Sequence, residues 1–218
     1  MNDAYTKPLP ANSALIVIDT QNDFTLADAP ASIPGTQKVV PAIKAVLDMY
    51  RSAGRPIFHI VRLYKKDGSN VDACRRTLLE QGASIARPGT EGAEIVTELK
   101  PDIGIRLDAA VLLEGEPQRI GNQEWVLYKP RWSAFHKTSL DTLLERLNVS
   151  TVVMTGCNFP NCPRATIYDA SNRDMRVVVI TDAMSGLYDR GLQELRNIGV
   201  ELREVKDVTG WLASPGRA

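Results

Sequence analysis

The stretch TVVMTGCNFPNCPRAT, residues 151–166, indicates the fold class of this chain. Its first six residues are apolar or β-branched, with a glycine at the end, which is typical of a buried strand. A short loop with proline and asparagine follows, and Cys162-Pro163 then resembles the start of a helix, where proline is favoured. A buried strand that leads through a tight loop into a helix is the building unit of an α/β sheet.

Further short apolar runs, rich in β-branched residues, predict the remaining strands. They lie at residues 14–19, 56–63, 124–129 and 176–182, with a weaker candidate at 200–205. Stretches of helical spacing separate them, including residues 39–50 and a row of leucines that ends just before residue 151. This alternation predicts a parallel sheet with helices on both faces, in one domain over residues 1–218. Residues 65–121 have the least periodicity and are expected to form insertions over one end of the sheet.

The composition excludes several classes of function. The chain has 218 residues, 44% of them hydrophobic, and its 26 basic side chains balance 26 acidic ones. It therefore offers no basic stripe for nucleic acid and no polybasic membrane patch, and no apolar run approaches the roughly 20 residues of a membrane-spanning helix. The N-terminal residues lack the order of a signal peptide, so we expect a cytoplasmic protein. Three cysteines, an odd number, suggest free thiols.

Reactive side chains stand at the ends of three predicted strands. In open α/β sheets ligands bind beyond the carboxyl ends of the strands. Asp19 ends the first run, Lys129 ends the run at 124–129, and Cys162 follows the run at 151–156. Each of these residues has an alternative structural explanation. Asp19 could cap a helix or turn, and Lys129 could lie at the rim of the sheet with its amine in water. Cysteine is often buried as an ordinary core residue.

Cys162 is the candidate nucleophile among the cysteines. At a helix N-terminus, the helix dipole and free backbone N–H groups favour the thiolate. We expect Cys157 and Cys74 to pack as small apolar residues. The spacing of Cys157 and Cys162 does not fit a C-x-x-C pair, and it misses by one residue the arginine offset of a phosphatase-like loop. The two histidines do not suggest a Cys-His dyad, since His59 lies in an apolar run and His136 is expected on the surface.

Three motifs in this order resemble the isochorismatase-like cysteine hydrolases. They are DTQNDF at residues 19–24, KPRWSAF at 129–135, and TG at 155–156 leading to Cys162 and Ala165-Thr166. The likeness runs from about residue 12 to residue 205. It implies a six-stranded, mostly parallel sheet in a three-layer α/β/α fold, and an amidase activity on small amides, carbamoyl compounds or ureides.

The resemblance also implies the roles of individual residues. Asp19 would move the thiol proton, Lys129 would hold the carboxylate and thiolate in their ionised forms, and Cys162 would attack the carbonyl carbon to give a thioester. The backbone N–H groups of Asn158 and Cys162 would bind the oxyanion. The peptide bond between Cys157 and Asn158 is expected to be cis.

Departures from the family narrow the expected chemistry. Nicotinamidases carry an aspartate and two histidines as metal ligands after the second strand, where this chain reads VRLYKKDGSNVDACRR. No metal and no cofactor are therefore expected, and nicotinamide becomes a poor candidate substrate. The ether-cleaving isochorismatase branch lacks the cysteine, so Cys162 argues against that branch. Pro163 removes one backbone N–H near the nucleophile.

The predicted pocket combines aromatic and polar side chains. An aromatic wall and carboxylate or ureide binders are expected from Phe24, Trp132, Phe135, Arg75, Arg76 and Asn70. Plain core packing for the rings and a solvated helix face for the arginines are the alternatives. Two other functions stay open, an ether hydrolase and a non-catalytic or thiol-sensing protein. The expected partners are a small-molecule substrate and, by resemblance, further copies of the chain in a dimer or tetramer.

Overall fold

A seven-stranded sheet forms the centre of the molecule. The computed structural model describes residues 4–214. Its strands are β1 (Ser13–Ile18), β2 (Ile57–Val61), β3 (Gln118–Gly121), β4 (Glu124–Tyr128), β5 (Thr151–Gly156), β6 (Arg176–Met184) and β7 (Glu201–Arg203). Their order across the sheet is β3-β4-β2-β1-β5-β6-β7, and every neighbouring pair is parallel except β3 with β4.

Eight α-helices accompany the sheet in the described residues. They are α1 (Asn22–Thr25), α2 (Thr36–Ser52), α3 (Ala73–Glu80), α4 (Ala109–Leu113), α5 (Leu140–Arg146), α6 (Cys162–Ser171), α7 (Asp189–Asn197) and α8 (Val205–Ala213). Short 3-10 turns lie at Pro10–Asn12, Glu91–Ala93 and Thr97–Leu99. None of the helices among residues 4–214 is long and apolar enough to cross a membrane.

The alternation of side chains along β1 explains the three layers. All six residues of β1 are buried, because the strand is covered on both faces. Leu15 and Val17 pack with the apolar sides of α2 and α8, whereas Ile16 and Ile18 pack with α5, α6 and α7 on the other face. The predicted α/β/α class is confirmed.

The expected number of strands is wrong by one. β3 lies within residues 65–121 and pairs antiparallel with β4 at the edge of the sheet. Its four residues QRIG are all at least partly exposed, so they carry no apolar run. A short hairpin strand on an edge needs burial on neither face, and its sequence therefore resembles a loop.

Candidate active site

Four neighbouring strands end in a common group of reactive side chains. Asp19 follows β1, Arg62 follows β2, Lys129 follows β4, and the loop after β5 leads to Cys162 at the first position of α6. The strand order β4-β2-β1-β5 brings these ends to the same edge of the parallel sheet. The sequence places three of the four, and Arg62 is the addition.

A buried ion pair lies at the centre of the group. Lys129 Nζ donates a hydrogen bond to Asp19 Oδ2 at 2.8 Å, and the two side chains are 0% and 6% exposed. Asp19 adopts φ +50°, a left-handed conformation that is uncommon for a residue other than glycine and costs on the order of 1–3 kcal/mol. Its second oxygen, Oδ1, is buried without a hydrogen-bond partner in residues 4–214. The Asp19 carboxylate is therefore fixed by Lys129 through Oδ2, and Oδ1 has no hydrogen-bond partner in the described residues that would prevent it from accepting a proton.

The Cys162 thiol lies at the N-terminus of α6, with Pro163 in the first turn, as predicted. Its pKa is nevertheless raised, first because burial disfavours the thiolate and second because Asp19 is negative. Lys129 and Arg62 act in the opposite direction and lower this pKa. The net direction is therefore opposite to the ease of ionisation expected from the helix N-terminus alone. The resting group is a thiol that must pass its proton to a base.

Arg62 is a functional candidate that the sequence analysis missed. Its side chain is buried, one guanidinium nitrogen lies 3.8 Å from Cys162 Sγ, and another donates to Asp72 Oδ2 at 2.8 Å. Gln21 fixes the backbone here, because its amide accepts from Arg62 N at 2.7 Å and donates to Arg62 O at 2.8 Å. The missed signal was a charge directly after a buried strand, the same signal that identified Asp19 and Lys129.

The loop between β5 and α6 presents backbone N–H groups. Cys157 N donates to Ile18 O, and Phe159 N donates to Ser185 O, which fixes the loop against two neighbouring strands. The N–H groups of Asn158 and Cys162 have no protein acceptor within the described residues. The expected cis bond between Cys157 and Asn158 is absent, since no peptide bond in residues 4–214 is cis. Two unpaired donors beside the thiol still form an arrangement suited to an anionic oxygen.

A narrow cleft with a free volume of about 10 Å³ opens onto these groups. Its lining contains Asp19, Phe24, Ile33, Arg62, Arg75, Cys157, Asn158, Asn161 and Cys162. Among the expected substrate-binding residues, the cleft includes Phe24 and Arg75. Free space of this size holds about one water molecule, so the lining side chains must move apart to admit a substrate.

The other four expected substrate-binding residues do not line the cleft. Trp132 is 37% exposed, and Phe135 packs in the core cluster with α5 and α6, below the Arg173 guanidinium. Arg76 lines a separate groove with Lys66 and Asp67. Asn70 supports its own loop, because its amide nitrogen donates to Leu63 O and to the Tyr128 hydroxyl. Nearness to catalytic residues along the chain did not bring these side chains to the cleft.

The remaining cysteines and histidines divide between core and surface. Cys157 is buried as expected, but Cys74 is exposed on α3, so its expected packing is wrong. Helix α3 has no buried residue and therefore offers Cys74 no core to join. His59 is a core histidine whose Nε2 lies 2.6 Å from Glu124 Oε1, and His136 is exposed.

No described group of side chains provides a metal-binding cluster. Residues 4–214 bring together no set of three or more His, Cys, Asp or Glu side chains that could hold an ion. The positions that follow β2 instead contribute Arg62, Leu63 and Tyr64, which are all buried, and both Arg62 and Tyr64 donate hydrogen bonds to Asp72 Oδ2. This donor set does not fit the metal site that nicotinamidases carry.

The sheet and the reactive groups at its edge together indicate a class of enzyme. A parallel sheet that presents a thiol, a carboxylate and an ammonium group at its carboxyl ends has the groups that hydrolysis by a cysteine nucleophile requires. The family model described as Isochorismatase domain matches residues 13–207, which is most of the chain. The protein belongs to the isochorismatase-like cysteine hydrolases.

Individual relatives agree with this membership. An isochorismatase family protein from Desulfovibrio vulgaris, known from a crystal structure, shares 35% sequence identity with this chain. The two structures align with a TM-score of 0.78 over 93% of this chain and 99% of that one. A probable inactive nicotinamidase of Arabidopsis thaliana is 31% identical over 87% of this chain and 91% of its own length. An N-carbamoylsarcosine amidase from an Arthrobacter species is 26% identical over 91% of this chain and 70% of its own.

Proposed function

We propose that this protein hydrolyses the C–N bond of a small amide, carbamoyl or ureide compound through a thioester on Cys162. One observation carries the proposal: a buried Asp19–Lys129 ion pair leaves Asp19 Oδ1 unpartnered in the described residues, in the same cleft as the Cys162 thiol. A carboxylate fixed by one oxygen and free at the other is suited to act as a general base. Several family members bear the names of amidases or amidohydrolases, which agrees with this chemistry.

The first half of the reaction forms the thioester. Asp19 Oδ1 accepts the thiol proton as Cys162 Sγ attacks the carbonyl carbon, and the carbonyl electron pair moves onto oxygen. The N–H groups of Asn158 and Cys162 donate to this oxyanion, each worth about 3 kcal/mol at comparable sites. Asp19 then returns its proton to the substrate nitrogen, the C–N bond breaks, and ammonia or an amine leaves.

The second half releases the acid. Water loses a proton to Asp19 and attacks the thioester carbon, and the oxyanion forms again in the same place. Collapse of this intermediate breaks the C–S bond, and Asp19 returns the proton to sulfur. The positive charge of Lys129 stabilises the Asp19 carboxylate and each transient thiolate.

Arg62 supplies a second positive charge close to the Cys162 sulfur. Its guanidinium lies near Cys162 Sγ and lowers the thiol pKa, and Asp72 holds it in place. A thiol with a raised pKa needs this help, because Asp19 must remove its proton in a site that is closed to bulk water.

Ammonia release tests the proposal. A panel of small amides, carbamoyl acids and ureides is incubated with the native protein and with Cys162→Ala, Asp19→Asn and Cys74→Ser. We expect turnover of at least one compound by the native protein and by Cys74→Ser, whose cysteine is exposed on α3. Cys162→Ala and Asp19→Asn are expected to lose activity by three orders of magnitude or more, as removal of a nucleophile or its base does in comparable triads.

The competing functions give different results. Pyruvate release from a vinyl ether that survives Cys162→Ala would assign ether hydrolysis. A native protein that alkylates at Cys162 but releases no ammonia from any compound would assign a thiol-sensing role. Hydroxylamine added during turnover should divert the thioester to a hydroxamate, and its absence with an active substrate would contradict the covalent route.

A further inference from the structure

The catalytic cleft contains one positive charge that no acidic side chain balances. Three charged residues line it beside the nucleophile: Asp19, Arg62 and Arg75. Asp19 is neutralised by Lys129 at 2.8 Å, and Arg62 by Asp72 at 2.8 Å. Arg75 has no salt bridge or hydrogen-bond partner for its guanidinium within residues 4–214. When these two ion pairs are taken together, the unpaired Arg75 leaves the cleft with a net positive charge.

Two buried aromatic rings hold the Arg75 guanidinium. Its central carbon lies 5.4 Å from the centre of the Phe24 ring and 6.0 Å from that of Tyr64. Both rings are 2% exposed, and the Tyr64 hydroxyl is itself fixed by a hydrogen bond to Asp72 Oδ2. Stacking on rings restricts the guanidinium without occupying its N–H groups. These N–H groups remain free to donate to a bound anion.

We propose that Arg75 binds a carboxylate of the substrate, which makes the natural substrate a small anionic amide. The monoamide of a short dicarboxylic acid and an N-carbamoyl amino acid have this chemistry. A planar guanidinium binds a carboxylate through two parallel hydrogen bonds, and Arg75 lines the same narrow cleft as Cys162. This inference rests on the proposed function, because it assigns the substrate class of the same site.

The test compares two substrates that differ only in charge. Succinamate and its methyl ester are supplied to the native protein, Arg75→Ala, Arg75→Lys and Arg76→Ala, and N-carbamoylglycine and its methyl ester form a second pair. Arg76 is the matched control, because it is the neighbouring arginine on α3 and lines a different groove. Ammonia release gives kcat and KM for each combination.

The expected result is selective for charge. Arg75→Ala should lower kcat/KM for the carboxylate about 30-fold or more, mostly through KM, and change it little for the ester. Arg75→Lys should recover part of the loss, and Arg76→Ala should match the native protein. A loss that is equal for both members of a pair would overturn the carboxylate role and leave thioester hydrolysis intact.

Direct binding separates this inference from the proposed function. Calorimetric titration of succinate and of N-carbamoylglycine into Cys162→Ala measures the anion site without turnover. Binding that Arg75→Ala abolishes and Arg76→Ala keeps supports the site, even if no panel compound is hydrolysed. Absence of binding to Cys162→Ala and to the native protein, or binding that Arg75→Ala leaves unchanged, would overturn it.

Discussion

Lys129 Nζ lies 2.8 Å from Asp19 Oδ2, and together they form an ion pair between the ends of β4 and β1 that solvent barely reaches. Two charges are removed from water here, and each compensates the other. Such a pair contributes little net stability compared with apolar residues of the same volume, but loss of one partner leaves the other buried and unpaired. The proposed chemistry therefore accounts for the pair better than a contribution to the stability of the fold does.

Lys129→Met should damage both stability and activity. The uncompensated Asp19 carboxylate is expected to lower the free energy of unfolding by about 3–5 kcal/mol, and the lost control of the base should reduce kcat/KM by about 10²- to 10⁴-fold. Urea unfolding and ammonia release measure the two effects. Lys66→Met, at an exposed position, is the control and should change neither.

The double variant Asp19→Asn with Lys129→Met separates the two effects. We expect it to recover most of the lost stability, because neither charge remains buried, and to recover no activity. A double variant as unstable as Lys129→Met alone would show that packing around the lysine, and not its charge, supports the fold.

Alkylation of Cys162 should report the opposing effects on its thiol. Burial and Asp19 raise its pKa, whereas Lys129 and Arg62 lower it. In a Cys74→Ser background, which removes the exposed thiol, iodoacetamide should therefore modify Cys162 with a midpoint at higher pH than that of a free thiol, about 8.5. Arg62→Met should move the midpoint higher still, because a positive charge that favours the thiolate is gone.

Arg76→Met is the matched control for this measurement. It lies outside the cleft, so the midpoint should equal that of the background protein. Peptide mass spectrometry assigns the modified cysteine, since Cys157 is also a free thiol. A midpoint that Arg62→Met leaves unchanged would exclude Arg62 from stabilising the sulfur.

The sequence predicted the central strands because each is buried on both faces. β1 and β4 are mostly apolar runs with no exposed residue, and packing does not explain the charged residue that follows each run. Asp19 and Lys129 were found in this way. Arg62 is likewise a charge directly after a buried strand. The apolar Leu63 that follows it makes the apolar run appear to extend over residues 56–63 and hides this feature.

Most of the expected substrate-binding side chains lie outside the cleft, whereas Asp19, Lys129 and Cys162 lie together at the ends of the strands. Trp132 and Phe135 follow Lys129 closely in the chain, yet the backbone turns after β4 and directs Phe135 into the core below Arg173. Arg75 and Arg76 are neighbours on α3, and a helix points consecutive side chains about 100° apart, so only one lines the cleft. Sequence spacing could not decide which.

Glu124 is expected to stabilise the protein in a pH-dependent way. It starts β4 and is buried, which would raise its pKa, but hydrogen bonds and charge from Arg51 and His59 lower it to about 2. A depressed pKa contributes stability that is complete above the unfolded value of about 4.3 and is lost as the pH falls through about 2. Acid should therefore weaken this contact only below about pH 4.

Glu124→Gln tests that contact. We expect the free energy of unfolding to fall by about 3 kcal/mol at pH 7, because the Arg51 and His59 side chains lose the negative charge of the carboxylate that they contact. The difference from the native protein should stay constant between pH 7 and 5 and shrink between pH 4 and 2. Glu98→Gln, at an exposed position, should show neither effect, and a difference independent of pH down to 2 would contradict the assignment.

Gly156 connects strand β5 to the loop that carries the proposed oxyanion donors. It adopts φ +110°, and an added Cβ would lie 2.3 Å from Ile18 O on the adjacent strand β1. Gly156→Ala therefore combines backbone strain with a backbone clash, and we expect a loss of at least about 2 kcal/mol in the free energy of unfolding. The loop that holds Asn158 should shift, so activity should fall in the protein that remains folded.

Gly210→Ala is the matched control for this substitution. Gly210 lies within α8, and an added Cβ there meets no atom within 4 Å. Because alanine favours a helix, this variant should gain about 0.5–1 kcal/mol and keep full activity. Thermal unfolding and ammonia release on both variants check the pair. Equal stability of the two would mean that β1 and β5 yield to the methyl group, and the close approach of Ile18 would then not be what fixes the loop.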